Sequence, residues 1–333
     1  MNCIGIWLTH IPGEQLNPEP KQLECHFNLW MLHSISNERQ SKLDCFMDIG
    51  VMLSRADGST HINLFIPDRI DKSNIQDLGV TFKNNTKLVS AVFNEDYGVL
   101  VRTGEKTIEI QKSDATPVFN IYILDLENDV SVDSQFGGST ICIRIPNHLR
   151  DKRHYYRIRL KCAFVNQTGY VYMPPPSSIL EGAFFQTELV DFRLNEKRNL
   201  PSSLLEAVRQ NGEVRFTKTH FFLMREASDD YIFSHKPPAG RQLEKDLWRS
   251  YIGDDYSFKQ ITAYHWKEIV LHDSFSIFVK FRSFHSGLRT ILIAVVVIII
   301  LGTISSFLGN LLFSLIDRYL IRLWATCSVQ GPL

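Results

Sequence analysis

The sequence lacks the short motifs that mark the common catalytic folds. Among its 333 residues there is no G-x-S-x-G, no G-x-x-x-x-G-K-[S/T], no G-x-G-x-x-G and no H-E-x-x-H. The six cysteines form no C-x-x-C pair, which excludes the usual zinc-ribbon and thioredoxin-type patterns. We therefore predict a protein that is not an enzyme and that uses no cofactor and no metal.

An excess of charge of one sign is also missing. Lys plus Arg and Asp plus Glu both number 36, so the formal net charge is zero and favours no class of partner. The first ten residues have neither a basic segment nor a long apolar run, so we expect no secretory signal. The scattered cysteines are then expected to be reduced thiols in a cytoplasmic domain.

One segment near the C-terminus contains no charged residue from Thr290 to Ile316. A helix of this length, at about 1.5 Å per residue, exceeds a hydrocarbon core of about 30 Å. We predict a single transmembrane helix over residues 289–317, with the lipid bilayer as partner and a short tail over 318–333. Lys280, Arg282 and Arg289 precede the segment, which favours a cytoplasmic soluble region.

Small and polar residues recur within this segment. Gly302, Ser306 and Asn310 follow one another at intervals of four, so they share one helix face. Small residues let helix backbones approach in a membrane, and an asparagine can hydrogen-bond across the interface. We predict a homo-oligomer formed through this face, although Gly and Ser are also simply common in membrane helices.

The remainder of the chain is mainly β with an α+β portion. Apolar residues alternate with polar ones in repeated short runs before residue 170, which predicts an N-terminal β-sandwich or barrel-like domain over 1–170. Asp57-Gly58 and Thr103-Gly104 predict hairpin turns. Three prolines, Pro174 to Pro176, mark a boundary to a smaller α+β membrane-proximal region over 177–285.

Two helices are expected in this second region. Ser203-x-x-Glu206 has the form of a capping box, and Gly212 is placed to end that helix. A second helix carries Leu243, Leu247 and Tyr251 on one face and is followed by Gly253.

The densest basic cluster is the best candidate for ligand binding. On a strand, Arg157, Arg159 and Lys161 point to one face, with Arg153 and Tyr155 beside them. Such a row is suited to an anionic ligand. The alternative is a solvated strand face that pairs with acidic neighbours, for which the candidates are Asp125, Glu127 and Asp129.

These features favour a membrane-anchored, non-enzymatic sensor or effector that binds a ligand or a protein partner. The order of a soluble domain followed by a bare membrane segment resembles that of bacterial anti-phage effectors that damage the inner membrane, a resemblance of architecture alone. Two alternatives stay open. One is a membrane-tethered interaction scaffold, and the other is an enzyme whose site is assembled from dispersed residues such as His220, His235, His265 and His272 with aspartates.

Overall fold

The computed structural model describes residues 3–11, 21–33, 43–56, 58–172, 185–254, 256, 260–284 and 288–328. The chain divides into two compact units. The first contains residues 1–172 and 187–283, and the second contains residues 173–186 and 284–333.

The described residues are mostly β-strand, as the sequence predicts. The strands are β1 (Gly5–His10), β2 (Lys21–His33), β3 (Leu43–Leu53), β4 (Ser59–Ile66), β5 (Ile75–Asp77), β6 (Gly98–Val101), β7 (Thr107–Gln111), β8 (Pro117–Tyr122), β9 (Val130–Gln135), β10 (Gly138–Arg144), β11 (His154–Leu160), β12 (Gly169–Tyr172), β13 (Phe185–Leu194), β14 (Val214–Glu226), β15 (Asp230–Ser234), β16 (Ala239–Gln242), β17 (Ile261–Glu268) and β18 (Phe275–Phe284). The helices are α1 (Gly79–Asn84), α2 (Lys87–Phe93), α3 (Ala163–Thr168), α4 (Ser202–Asn211), α5 (Lys245–Ile252) and α6 (Leu288–Ser328).

The largest sheet is built from both halves of the soluble sequence. Its strand order is β16-β17-β14-β2-β3-β11-β8-β7-β6, and β5 also pairs with β11. Two smaller sheets have the orders β1-β4-β10-β9 and β12-β13-β18-β15. Because β14 lies beside β2, and β17 beside β14, the expected boundary near residue 170 does not separate the strands into two successive domains.

One face of the large sheet packs against the smaller sheets. The odd-numbered residues of β2, from Leu23 to Met31, are buried in a cluster with the inward residues of β4, β10, β13 and β18. The alternation in the sequence predicts this face correctly. The predicted sandwich is not confirmed, because three sheets share this core rather than two.

Helices cover part of the opposite face. A second cluster joins even-numbered β2 residues such as Trp30 to Phe82 of α1, Leu88 of α2 and Trp248 of α5. Helices α1 and α2 interrupt the run of strands that the sequence predicts. Helices α4 and α5 are confirmed and are followed by Gly212 and Gly253, both with positive φ, although α4 has no side-chain cap.

One predicted hairpin is present and one is wrong. Strands β6 and β7 pair antiparallel across Thr103-Gly104. Strands β3 and β4 on either side of residue 58 lie in different sheets, because β3 pairs with β2 and β11 while β4 pairs with β1 and β10. Asp57 and the prolines at 174–176 lie outside the described residues.

In the second unit, α6 is long and apolar enough to cross a membrane. Residues Leu292–Ile321 have a mean hydropathy of 2.7 and no burial within the protein. The helix continues past the predicted end at residue 317 to Ser328. A C-terminal helix of this kind is compatible with membrane anchoring.

Candidate ligand-binding cleft

A cleft of about 530 Å³ lies on the face of the large sheet that carries the helices. Strands β2, β14 and β17 form its floor, and the end of α2 and the residues after it contribute to its wall. Aromatic rings in the lining come from Phe93, Tyr97, Phe119 and Phe222. The polar lining consists of Glu24, Glu95, Arg153, Lys218, Arg241, Lys267 and the three histidines His26, His220 and His265.

The floor residues share one face because of strand periodicity and register. Side chains two residues apart on a strand point the same way. In the parallel pair of β2 and β14, Glu24 lies opposite Lys218 and His26 lies opposite His220. In the antiparallel pair of β14 and β17, His220 lies opposite Lys267. Five chemically active side chains are thus placed on three adjacent central strands.

His26 connects the cleft to the protein interior. Its Nε2 lies 3.4 Å from Oε1 of Glu24, and its Nδ1 lies 3.1 Å from the hydroxyl of Tyr155. Arg157 donates from Nη1 to the same hydroxyl at 2.8 Å. Since the arginine can only donate, the Tyr155 hydroxyl accepts from it, while the direction of the bond between this hydroxyl and Nδ1 is set by which nitrogen of His26 carries the proton.

The other two histidines of the cleft also touch. Nδ1 of His220 lies 3.0 Å from Nε2 of His265, and the ring of His265 stacks on Phe222 with centroids 4.0 Å apart. The rings of His26 and His220 meet edge to face at 4.9 Å. Stacking and hydrogen bonding together fix the orientation of all three imidazoles.

Burial sets the protonation states in the cleft. It lowers the pKa of His220 to about 3 and of His265 to about 4, and it also lowers the pKa of His26. Burial acts to raise the pKa of Glu24, but the hydrogen bond from His26 and the charges of Lys218 and Arg153 outweigh it and lower this pKa to about 2. At neutral pH the cleft therefore holds neutral imidazoles beside a carboxylate.

The predicted row of ligand-binding arginines is not open to solvent. Arg157 and Arg159 are 0% and 4% exposed. Arg159 donates from Nε to Asp48 at 2.7 Å, and Arg157 donates from Nε to the hydroxyl of Tyr251 at 2.8 Å. That hydroxyl donates to Asp48 at 2.8 Å. The expected solvent-facing row is wrong for these two residues, because a buried carboxylate and a tyrosine satisfy the guanidinium groups.

The other residues of that row have different environments. Tyr155 is fully buried behind the cleft lining, where its hydroxyl contacts His26 and its ring packs against Phe93 and Phe119. Lys161 is exposed, and its ammonium group lies over the rings of Phe46 and Tyr256. Arg153 lines the cleft, where its Nη2 lies 3.2 Å from Oε2 of Glu24. Of the predicted ligand-binding residues, Arg153 is the one in the cleft lining.

The acidic residues that were the alternative partners of this row bind elsewhere. Asp129 accepts from Arg144 and Lys106, Asp125 also pairs with Lys106, and Glu127 pairs with Lys72. The counter-ion of the buried arginines is Asp48 on the adjacent strand β3. The alternative correctly predicts that acidic residues compensate the charges of this row. It is wrong about which residue does so, because the partner is Asp48.

The proposed association residues of the apolar helix are exposed in the single chain. Gly302, Ser306 and Asn310 all lie on the surface of α6, and nothing lies within 4 Å of a Cβ built at Gly302. The five described cysteines are free thiols that are buried or half-buried, as expected.

Sequence reasoning missed Glu24 and His26 and did not group His220 with His265. His235 and His272, which it weighed equally, do not line the cleft. A usable signal was present in three short sequences that form strands in the structure, namely Glu24-x-His26, Lys218-x-His220 and His265-x-Lys267. Each pair places two polar residues on the same face of a strand that is otherwise apolar, which costs free energy unless the face lines a polar site.

The arrangement is suited to binding an anion and to holding a proton or a metal ion at fixed nitrogen and oxygen atoms. No protein-family model matches the chain, and no curated protein is significantly similar to it. The assignment of a function therefore depends on the chemistry of this cleft and on the apolar helix.

Proposed function

We propose that this chain is a membrane-anchored receptor that binds an anionic small molecule in the cleft and acts through its C-terminal helix. The observation that carries the proposal is the charge of the cleft. Arg153, Lys218, Arg241 and Lys267 outnumber its two carboxylates, Glu24 and Glu95, and the histidines are neutral. Cations that converge on a concave, low-dielectric surface attract anions.

The lining also favours a particular class of anion. A cleft of about 530 Å³ falls within the size range of ordinary small-molecule sites. Aromatic rings stand beside the cations, and the guanidinium of Arg153 lies 6.0 Å from the ring centroid of Phe119. A nucleotide carries both a phosphate group and a flat ring. Its phosphate would pair with the cationic side chains, and its ring would stack on the aromatic ones.

The second half of the proposal concerns the membrane. Helix α6 anchors the protein in a bacterial inner membrane with the soluble unit in the cytoplasm, and copies associate through Gly302, Ser306 and Asn310. Ligand binding changes this association and thereby perturbs the membrane, as in the defence effectors whose domain order the chain resembles. Support comes from the length and apolarity of α6 and from the exposure of Gly302, Ser306 and Asn310 on its surface.

A titration with ATP as the probe tests the ligand site. The full chain in detergent is expected to bind ATP at about 0.01 M salt and much more weakly at about 1 M salt, where charges are screened. Lys267→Glu reverses an exposed charge in the cleft and should weaken binding at least about tenfold. Lys161→Glu reverses an exposed charge outside the cleft and should leave binding unchanged. If the two variants weaken ATP binding equally, the cleft is not the ATP site.

A helix replacement tests the membrane role. Residues 291–316 are exchanged for an unrelated poly-leucine span, which keeps the anchor but removes the small-residue face. We expect loss of self-association and of any effect on growth or membrane potential in expressing cells. If both survive the exchange, the helix serves only for localisation and the protein is better described as a tethered interaction scaffold.

One observation favours an enzyme as a second candidate function. Glu24, His26 and Tyr155 form a hydrogen-bonded series that opens into the cleft, which is the arrangement a general base requires. Incubation of ATP or another phosphate ester with the protein, followed by chromatography of the products, tests this candidate. Turnover that is lost in His26→Gln would establish it, and recovery of unchanged ester would leave the receptor function.

A further inference from the structure

The side chains of Glu24, His26 and His220 are arranged as the ligands of a metal ion. One ligand atom from each residue lies within 4.8 Å of the corresponding atoms of the other two. The distance of 3.4 Å between Nε2 of His26 and Oε1 of Glu24 is informative. Two ligands at about 2.1 Å from a tetrahedral ion are separated by about 3.4 Å, so this pair already has the spacing of a bound state.

The backbone holds these three residues in place. Glu24 and His26 are two positions apart on β2, and His220 lies directly opposite His26 on the parallel neighbour β14. Both strands are internal to the large sheet, with β3 and β17 outside them. Ligands on internal strands are fixed before an ion arrives, so little ordering cost accompanies binding.

Second contacts hold both imidazoles by their Nδ1 atoms. Nδ1 of His220 is engaged by His265 at 3.0 Å, and Nδ1 of His26 is engaged by Tyr155 at 3.1 Å. Nε2 is then the nitrogen that each ring has available for an ion. Metal-binding histidines in proteins characteristically have their other nitrogen hydrogen-bonded in this way.

The carboxylate is divided between two roles. Oε2 of Glu24 lies 3.2 Å from Nη2 of Arg153 and 3.7 Å from Nζ of Lys218, while Oε1 faces His26. Oε1 can therefore ligate an ion while Oε2 remains paired with Arg153 and Lys218. The same two cations compensate the charge of an anion that enters the cleft beside the ion.

We infer that Glu24, His26 and His220 form a binding site for a divalent transition-metal ion, with zinc the best match, and that His265 positions His220. Two imidazoles and one carboxylate are a ligand set that zinc accepts, with its fourth position open for water or for an oxygen of a ligand. All three ligand residues line the cleft. This inference does not depend on the proposed anion, since the three ligands are present without it.

Metal binding by the full chain in detergent is the test. The protein is stripped with a chelator, titrated with Zn²⁺ against a chromophoric competitor, and also loaded with Co²⁺, whose visible absorption reports tetrahedral nitrogen and oxygen ligands. We expect about one ion per chain, a loss of affinity of at least about 100-fold in His220→Ala and Glu24→Gln, and about tenfold in His265→Ala. His61→Ala, a half-buried histidine on β4 in another sheet, is the matched control and should bind normally.

Several outcomes overturn the inference. Wild-type protein that retains well under one zinc ion per chain, or equal affinities in wild type, His220→Ala and Glu24→Gln, excludes the site. If a variant fails to fold by circular dichroism, the wild-type stoichiometry and the Co²⁺ spectrum still decide the result. Lys267→Glu separates the two proposals, because it should lower ATP affinity and leave zinc affinity intact.

Discussion

Substitution of Gly50 on β3 tests whether the buried side chain of Tyr155 requires a glycine beside it. It lies between His26 of β2 and Arg157 of β11 in the sheet. A Cβ built on Gly50 lies 1.8 Å from the hydroxyl oxygen and 2.5 Å from Cζ of Tyr155. The tyrosine side chain therefore crosses β3 through the space that the missing methyl group leaves, and Gly50→Ala closes this passage.

The expected loss of stability can be worked out from these contacts. To reach an ordinary contact of 3.4 Å, the Tyr155 hydroxyl must move by at least 1.6 Å, the difference between 3.4 and 1.8 Å. That shift breaks its bonds with Arg157 Nη1 at 2.8 Å and His26 Nδ1 at 3.1 Å. An unsatisfied buried group costs about 1–3 kcal/mol and overpacking a core about 1–3 kcal/mol, so we expect about 4 kcal/mol in total.

Urea denaturation of the full chain in detergent, followed by tryptophan fluorescence, measures this change. Trp30 packs within the same cluster as Tyr155, so its emission reports on the affected region. Gly98→Ala is the matched control, since its Cβ meets nothing closer than 3.7 Å on strand β6, and it should change stability by less than about 0.5 kcal/mol. Equal urea midpoints for the two variants would refute the argument that the glycine is needed for the tyrosine.

Three further changes have defined outcomes. Asp48→Asn leaves two buried guanidinium groups without their carboxylate and should cost about 3–5 kcal/mol by urea denaturation, whereas neutralising the exposed Glu127 should cost almost nothing. Burial raises the pKa of Asp77 to about 6, above its ordinary value of 3.8, so its contribution to stability is present below pH 3.8 and lost as the pH rises through 6. Asp77→Asn should therefore gain stability relative to wild type between pH 4 and pH 8, by about 3 kcal/mol, and parallel pH profiles would contradict this. Asn310→Leu should weaken self-association in micelles about tenfold by energy transfer between labelled chains, and unchanged transfer would exclude the hydrogen bond.

Local patterns in the sequence were sufficient to predict the individual elements. The alternation from Cys25 to Met31 identifies both the strand and its buried face, because a strand that is half buried must repeat every two residues. Gly212 and Gly253 mark the ends of two helices because both have positive φ. The apolar helix follows from hydropathy alone.

These local patterns do not predict which strands pair with one another. Arg157 and Arg159 look like solvent-facing charges until Asp48 is placed on the neighbouring strand. The cleft needs β2 beside β14, a pairing between residues about 190 positions apart that no local signal encodes. Charge compensation and site assembly are properties of the sheet order, so they appear only with the tertiary structure.

The parallel pairing of β2 with β14 also constrains how the protein is made. Contacts between such distant segments raise the contact order and slow the folding of the sheet. During synthesis, one edge of β2 stays unpaired until β14 has been made, and β14 in turn gains its second neighbour only when β17 follows. The floor of the cleft is therefore completed at Lys267, shortly before the ribosome begins the apolar segment of α6.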